Sequence, residues 1–573
     1  MNDVLGFAAL IAGAGIAWSV GRIFVKDDWP SATVAGTLVV GASLSAIAWF
    51  APLIAKPLIL AWAAVGLIWL IRDARRGVLD VRPNWILLAS IAGCAVYFRS
   101  LDVHSYRFGG EDMLYWSYAV ELLRADYVGN LRHPTYYPYP MSGNHLLPGA
   151  AAATLAWLIP NVGLGDIIEG KYIILVLGFA SAIARLYAAS RASPLIFLVA
   201  LLAAATAFRS EIGLNTVMSN YLYATVLIMI AARLADAQAS RSGVIDGSTL
   251  FLAILLVIAK APIFYVAAIF AAYLWWRHPS LRFAPPTLAS GLLVVLVIPT
   301  WAAVPPPYQG EESQAFWVAN PLNPRQILMI AEVVGWTAQD NFHAAAVALL
   351  GGATKADRGS LESLVLAYLP ATAILPYVVL KYYGVTIGAF GALRQRRDRD
   401  NEVFRSVVVY VAVSILGWVL LRNGGSFRHQ AHAYLVASIL AFGATVIWAC
   451  RSRAVLAASL AAAVALGWGR NVFDPVAESM DARQSDMTTA ALLASAKGDS
   501  RDGFYLPSPD EDQTRRTYVA SVRGERVSWE RNQPLSTYAL RPWVQCRAPT
   551  YRVDPTGYRR LESCDDFTAT KLE

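Results

Sequence analysis

Residues 57–76 read PLILAWAAVGLIWLIRDARR. An unbroken apolar run ends at Ile71 and gives way to Arg72, Arg75 and Arg76, with a single carboxylate, Asp73, among them. Such a run reads as a helix crossing a bilayer whose hydrocarbon core is about 30 Å thick. The arginines at its end read as a cytoplasmic loop. The same unit, an apolar block closed by arginines, recurs along the chain and fixes the reading of everything around it.

The 573 residues are 56% hydrophobic and 15% charged, with mean hydropathy +0.45. A soluble globular chain carries about a quarter charged residues. The apolar residues fall in blocks of about 18–25, the length of a spanning helix. The fold class is therefore mainly α: a polytopic helical membrane protein. The net charge of +8 resides largely in short arginine-rich loops, the positive-inside pattern, and implies no nucleic-acid partner. Abundant Ala, and Arg in excess of Lys, suit a GC-rich bacterium, so the expected location is the bacterial cytoplasmic (inner) membrane.

Charge placement then orients the spans. The N-terminal run has neither a basic n-region nor a small-residue cleavage site, so it reads as a retained span rather than a signal peptide. Arg22 and Lys26 place its far end inside. Spans near 31–52 and 57–71 lead to the arginines just quoted, and 84–98 crosses outward. Residues 170–187 return inward to Arg185 and Arg191, 194–208 go out, and 217–238 come back. Residues 249–276 are interrupted at Lys260-Ala261-Pro262, as a broken helix or two short spans ending inside at Arg277 and Arg282. A span at 286–303 opens a long outer loop, 304–361, and 364–390 returns to RQRRDRD. Spans near 404–421, 432–450 and 454–469 complete about 12–14 crossings. The apolar segment 145–160 reads as re-entrant or interfacial. From about 472 onward charges and turn residues appear; DMTTAALLASAK reads as a helix, and FYLPSP and RTYVASV as short strands. The division expected is 1–72, additional N-terminal transmembrane helices; 73–470, a transmembrane module with outer loops 99–169 and 304–361; and 471–573, a small extracytoplasmic α/β domain.

On this topology the polar residues of interest share the outer side. YRFGGEDMLYWSY (106–118) sets Glu111 and Asp112 behind two glycines and ahead of a helical stretch. A carboxylate there caps the helix and complements its dipole; with a free oxygen it can also act as a base. Tyr115 and the tyrosines of RHPTYYPYPMSGNH, Tyr136, Tyr137 and Tyr139 beside His133, form either an interfacial aromatic belt or a stacking surface for a sugar or prenyl chain. Lys260 reads as the only lysine deep within an apolar stretch, a functional candidate unless it snorkels to the boundary. RNGGSFRHQAH gathers Arg422, Arg428 and His429, suited to phosphate oxygens. Arg209 opens another outer loop. Cys94 and Cys450 read as small core residues, whereas Cys546 and Cys564 can form a disulfide if the C-terminal region lies outside, worth about 3 kcal/mol for a loop of that order.

The arrangement resembles the GT-C superfamily of integral-membrane glycosyltransferases: many spans, an acidic pair in an early outer loop (Glu111-Asp112), a second long outer loop (304–361) and an outer C-terminal domain (471–573). The acidic loop follows about the fourth span rather than the first, which implies that 1–72 is an addition to the GT-C-like module 73–470. The resemblance implies an inverting transfer from a polyprenyl-phosphate sugar to a cell-envelope glycan, lipid or protein acceptor, at the outer face. It implies Asp112 as base with Glu111 beside it, and Lys260, Arg209, Arg422, Arg428 and His429 as candidates to hold the donor phosphate. No cofactor is certain, and a divalent metal stays open. Three other readings remain: an O-antigen polymerase or ligase-like glycan transferase working through the Arg/His loop, a transporter or flippase for a lipid-linked or anionic solute, and a non-catalytic scaffold for an envelope assembly with the C-terminal domain as its binding part.

Overall fold

The computed structural model describes residues 2–26, 28–48, 54–77, 84–102, 146–159, 164–207, 221–239, 245–259, 264–302 and 445–469. It also describes four strands and isolated positions at 119, 122, 123, 162, 442 and 443. The described residues are mainly helical. The helices, in chain order, are α1 Asn2–Gly21, α2 Trp29–Ala48, α3 Ala55–Arg75, α4 Trp85–Asp102, α5 Leu146–Ala156, α6 Leu164–Ser190, α7 Pro194–Ala207, α8 Tyr221–Ala239, α9 Gly247–Ala259, α10 Phe264–Arg277, α11 Pro285–Ala302 and α12 Arg453–Gly469. Among the described residues three segments, Trp29–Ile47, Ala55–Arg75 and Asp166–Ser190, are long and apolar enough to cross a membrane; shorter apolar helices accompany them. The remaining spans expected beyond 302 fall largely outside the described residues.

Local sequence starts and stops these helices. Asp28 caps α2, its Oδ1 accepting the backbone N–H of Ser31 at 2.7 Å, with Pro30 in the first turn. Asp246 caps α9 through the N–H of Thr249 at 2.8 Å, and Asn84 caps α4 through the N–H groups of Ile86 and Leu87. The α3 helix ends at Gly77, whose φ of 66° suits glycine and whose N–H reaches the carbonyl of Ala74.

Packing sorts the helices by depth. The apolar window of α2 is 94% buried, that of α3 only 17%. Helix α2 lies against α1, α3, α5, α6 and α11, and α8 is buried from Tyr221 through Ala235. Lipid tails are as apolar as leucine, so close van der Waals fit rather than hydrophobic transfer holds such helices together. Small residues supply that fit. Gly21 and Gly36 of the α1–α2 contact face the backbones of Ala32 and Ala17, Gly13 faces Leu155, and Gly41 faces Ala151. A Cβ on any of them would collide with backbone atoms. Hydroxyls within α2 are satisfied locally: Thr33, Thr37, Ser43 and Ser45 each donate to a carbonyl three or four residues back.

Segment 145–160 holds a helix of 11 residues, about 16 Å long and too short for a full crossing, in keeping with the re-entrant reading. Its helix α5 is short and fully buried from Leu147 to Ala156, between α1, α2 and α6. Its alanines are what let three neighbours approach its backbone. The interruption near 260 is also resolved in kind: α9 and α10 are separate short helices packed on each other, with α9 also against α11. At 1.5 Å per residue each measures about 20 Å, short of a full crossing.

In the C-terminal region four strands, β1 Gly503–Leu506, β2 Arg526–Trp529, β3 Thr550–Asp554 and β4 Gly557–Leu561, form one sheet of order β2-β1-β3-β4. Strand β1 runs parallel to β2 and β3, and β4 antiparallel to β3. The first strand overlaps FYLPSP at 504–506; the expected helix 486–497 and strand RTYVASV lie outside the described residues.

Candidate functional site

Ion pairs fix which helix ends lie together. At one end Arg22, beyond α1, meets Asp73 of α3 at 3.1 Å, with side chains 10% and 9% exposed. Arg185 of α6 lies 3.2 Å from Asp236 of α8 and 3.9 Å from Asp28, which also accepts from Ser31 and Ser181. Arg233 of α8 meets Asp246 at 3.2 Å, and the guanidinium of Arg451 donates to the carbonyl of Ala189. The C-terminal ends of α1, α3, α6 and α8 and the starts of α2, α9 and α12 therefore share one end, hereafter the basic end. Burial pushes the Asp246 carboxyl up, but Arg233, the hydrogen bonds from the Thr249 side chain and backbone, and Arg185 outweigh it and hold it below the usual range.

The opposite end gathers a different set. Arg99, near the end of α4, donates to Glu169 of α6 at 2.8 Å, with side chains 63% and 45% exposed, and lies 5.9 Å from the Tyr172 ring. Lys171 Nζ lies 4.9 Å from the same ring, and its side chain is wholly buried. The Tyr97 hydroxyl donates to the carbonyl of Ala205 near the end of α7, and the Tyr221 hydroxyl, at the start of α8, donates at 2.7 Å to the carbonyl of Pro148 in α5. Gly170 admits the backbone of Ala152, whose carbonyl would lie 2.7 Å from an added Cβ, so α5 is held tight against this stretch of α6.

The helix ends flanking 103–145 and 208–220 (Asp102, Leu146, Ala207 and Tyr221) all belong to this second end. Those two segments carry Glu111, Asp112, Tyr115, His133, Tyr136, Tyr137, Tyr139 and Arg209, which themselves lie outside the described residues. So do Lys260, Arg422, Arg428, His429, Cys546 and Cys564. Described positions near the acidic pair are helical and buried at 119, 122 and 123, the one-face spacing of the helix expected after Asp112. Lys260 directly follows Ala259, the buried last residue of α9.

Lys171 is the residue that sequence reasoning missed, and it corrects the view of Lys260 as the sole lysine deep in an apolar stretch. A start near 170 would leave Lys171 at a helix mouth; the observed start at Leu164 places it about two turns inside α6. Asp166, at the start of α6, was the available signal for the earlier start. An ionisable side chain buried within an apolar helix is costly to keep, which makes Lys171 a candidate for the site. Among the described residues no group of three His, Cys, Asp or Glu side chains is arranged to hold a metal. A comparison with protein-family models, with curated proteins and with solved structures finds no match to this chain, so the reading rests on its own residues.

Proposed function

We propose that the protein is a membrane glycosyltransferase of GT-C type, moving a sugar from a polyprenyl-phosphate donor to a cell-envelope acceptor on the outer face of a bacterial cytoplasmic membrane. The observation that carries this reading is the meeting of Arg99, Glu169, Lys171 and Tyr172 at the end of the bundle to which the segment bearing Glu111 and Asp112 is tied. The crowding of arginines at the other end supports placing that end in the cytoplasm. The loop end then faces outward, where a lipid-borne donor and an aqueous acceptor can meet.

In this mechanism Asp112 takes the proton of the acceptor hydroxyl as its oxygen attacks the anomeric carbon. The bond to the phosphate oxygen breaks with inversion, and polyprenyl phosphate leaves. Cations facing that developing charge supply most of the stabilisation. Lys171 joins Lys260, Arg209, Arg422, Arg428 and His429 as a candidate for the role. Residues 471–573 are read as a small α/β domain on the same side, contributing to acceptor binding.

The test is sugar transfer by the purified protein in nanodiscs, supplied with a panel of polyprenyl-phosphate sugars. Release of polyprenyl phosphate from one donor, diminished in Lys171→Gln, is expected. Release from a donor that is unchanged by Lys171→Gln would remove Lys171 from the site. The short pair α9 and α10 favours the transporter as the second reading, because half-length helices are a feature of substrate-moving bundles. Donor crossing the bilayer unhydrolysed, with no transfer, would establish that reading instead.

A further inference from the structure

Helix α3 is the least buried of the three long apolar helices, and its outward side has a specific composition. Leu60, Ala64, Leu67, Ile68 and Ile71 are exposed at three- and four-residue spacings, one stripe along the helix. The stripe runs directly into Arg72, Arg75 and Arg76, all exposed. The one carboxylate among them, Asp73, is turned inward and taken up by Arg22 at 3.1 Å, so it does not neutralise the outer arginines. Arg72 lies over the Trp69 ring, 4.7 Å from its centroid, which holds the guanidinium at the level where the apolar stripe stops. At the same end Arg22, Arg185 and Arg233 are engaged by carboxylates and Arg451 by the carbonyl of Ala189, while Arg453 is exposed on α12.

We propose that this face of α3 is a binding site for an anionic phospholipid, with an acyl chain along the stripe and the phosphate on Arg72, Arg75 and Arg76. The dimensions fit. From residue 60 to residue 71 the stripe rises about 16 Å, roughly half of a 30 Å hydrocarbon core and hence the depth of one leaflet. The chemistry fits as well: planar guanidinium groups pair with phosphate oxygens, and a basic cluster closing a spanning helix attracts anionic headgroups. This inference depends on α3 spanning the membrane and is independent of the glycosyltransferase reading.

The test is native mass spectrometry of the full chain released from nanodiscs of equal phosphatidylglycerol and phosphatidylcholine. Wild type retains phosphatidylglycerol in preference. Arg75→Gln, at the exposed end of the helix, lowers that preference about fivefold, and the triple change Arg72→Gln, Arg75→Gln, Arg76→Gln lowers it on the order of a hundredfold. Arg453→Gln, an exposed arginine at the same end on another helix, leaves it unchanged. Equal retention of both lipids by wild type would overturn the proposal. So would an undiminished preference in Arg75→Gln, or a dimer that occupies α3 and excludes lipid.

Discussion

Replacing Gly41 by alanine tests the packing of the bundle with a single methyl group. An added Cβ at Gly41 would stand 2.8 Å from the Cα and N of Ala151 and 3.1 Å from its Cβ. Two of these are backbone atoms of α5, which is buried on all sides and has no rotamer to change. Carbon atoms pack at about 3.5–4.0 Å, so α2 and α5 must separate by roughly 1 Å, and such a gap forfeits a quarter to a half of the dispersion well for atoms along the contact. Overpacking of this sort costs about 1–3 kcal/mol. Gly93 of α4 is the control, since a Cβ there meets nothing within 4 Å. Gly93→Ala gains about 0.5–1 kcal/mol of helix propensity with no steric cost. Unfolding free energies in mixed micelles should therefore move in opposite directions for the two variants. A Gly41→Ala protein as stable as Gly93→Ala would refute the close-packed account of α2.

Asp73→Ala strands the Arg22 charge among buried groups, and a loss of about 3–5 kcal/mol is expected; the double change Arg22→Met, Asp73→Leu should recover most of it, and a double variant as unstable as the single would count against the pairing. Asp246 gives a pH signature. Its carboxyl is held below its unfolded value of about 3.9, so its stabilisation is fully present above that value and lost as pH falls through the folded one. The stability gap between wild type and Asp246→Asn should stay level from pH 6 to about 4 and narrow as pH falls further through the folded value; a gap that does not narrow at all below pH 4 would show that the Arg233 and Thr249 contacts do not act through the charge.

Much of the helical order was legible because its determinants are local. Expected starts at 84, 194, 286 and 454 fall within a residue of α4, α7, α11 and α12, where Asn84 and Pro285 mark entry into two of them. Arginines at 22, 72–76 and 185 correctly predicted which helix ends lie together, because a charge must leave the apolar layer somewhere. What hydropathy could not rank was depth. Helices α2 and α3 look alike as apolar runs, yet one is central and the other peripheral; the difference lies in Gly36, Gly41 and the alanines they face, not in total apolarity. For the same reason hydropathy gave no measure of how deeply α5 is buried among α1, α2 and α6. Lys171 escaped notice because its helix begins before the apolar run does. The acidic pair and its aromatic surroundings, read from the sequence as the reacting centre, remain the part of the site whose assignment rests on residue chemistry and on the helix ends that bracket it.

The most direct measurement is the rate of polyprenyl-phosphate release from a matched donor and acceptor by wild type and by Asp112→Asn, side by side in nanodiscs. Positioned base catalysis contributes about 10²–10⁴-fold, so the variant should fall by that order while its unfolding stability stays close to wild type. Release at the wild-type rate by Asp112→Asn would contradict the assignment of Asp112 as base and move the chemistry to Arg428 and His429.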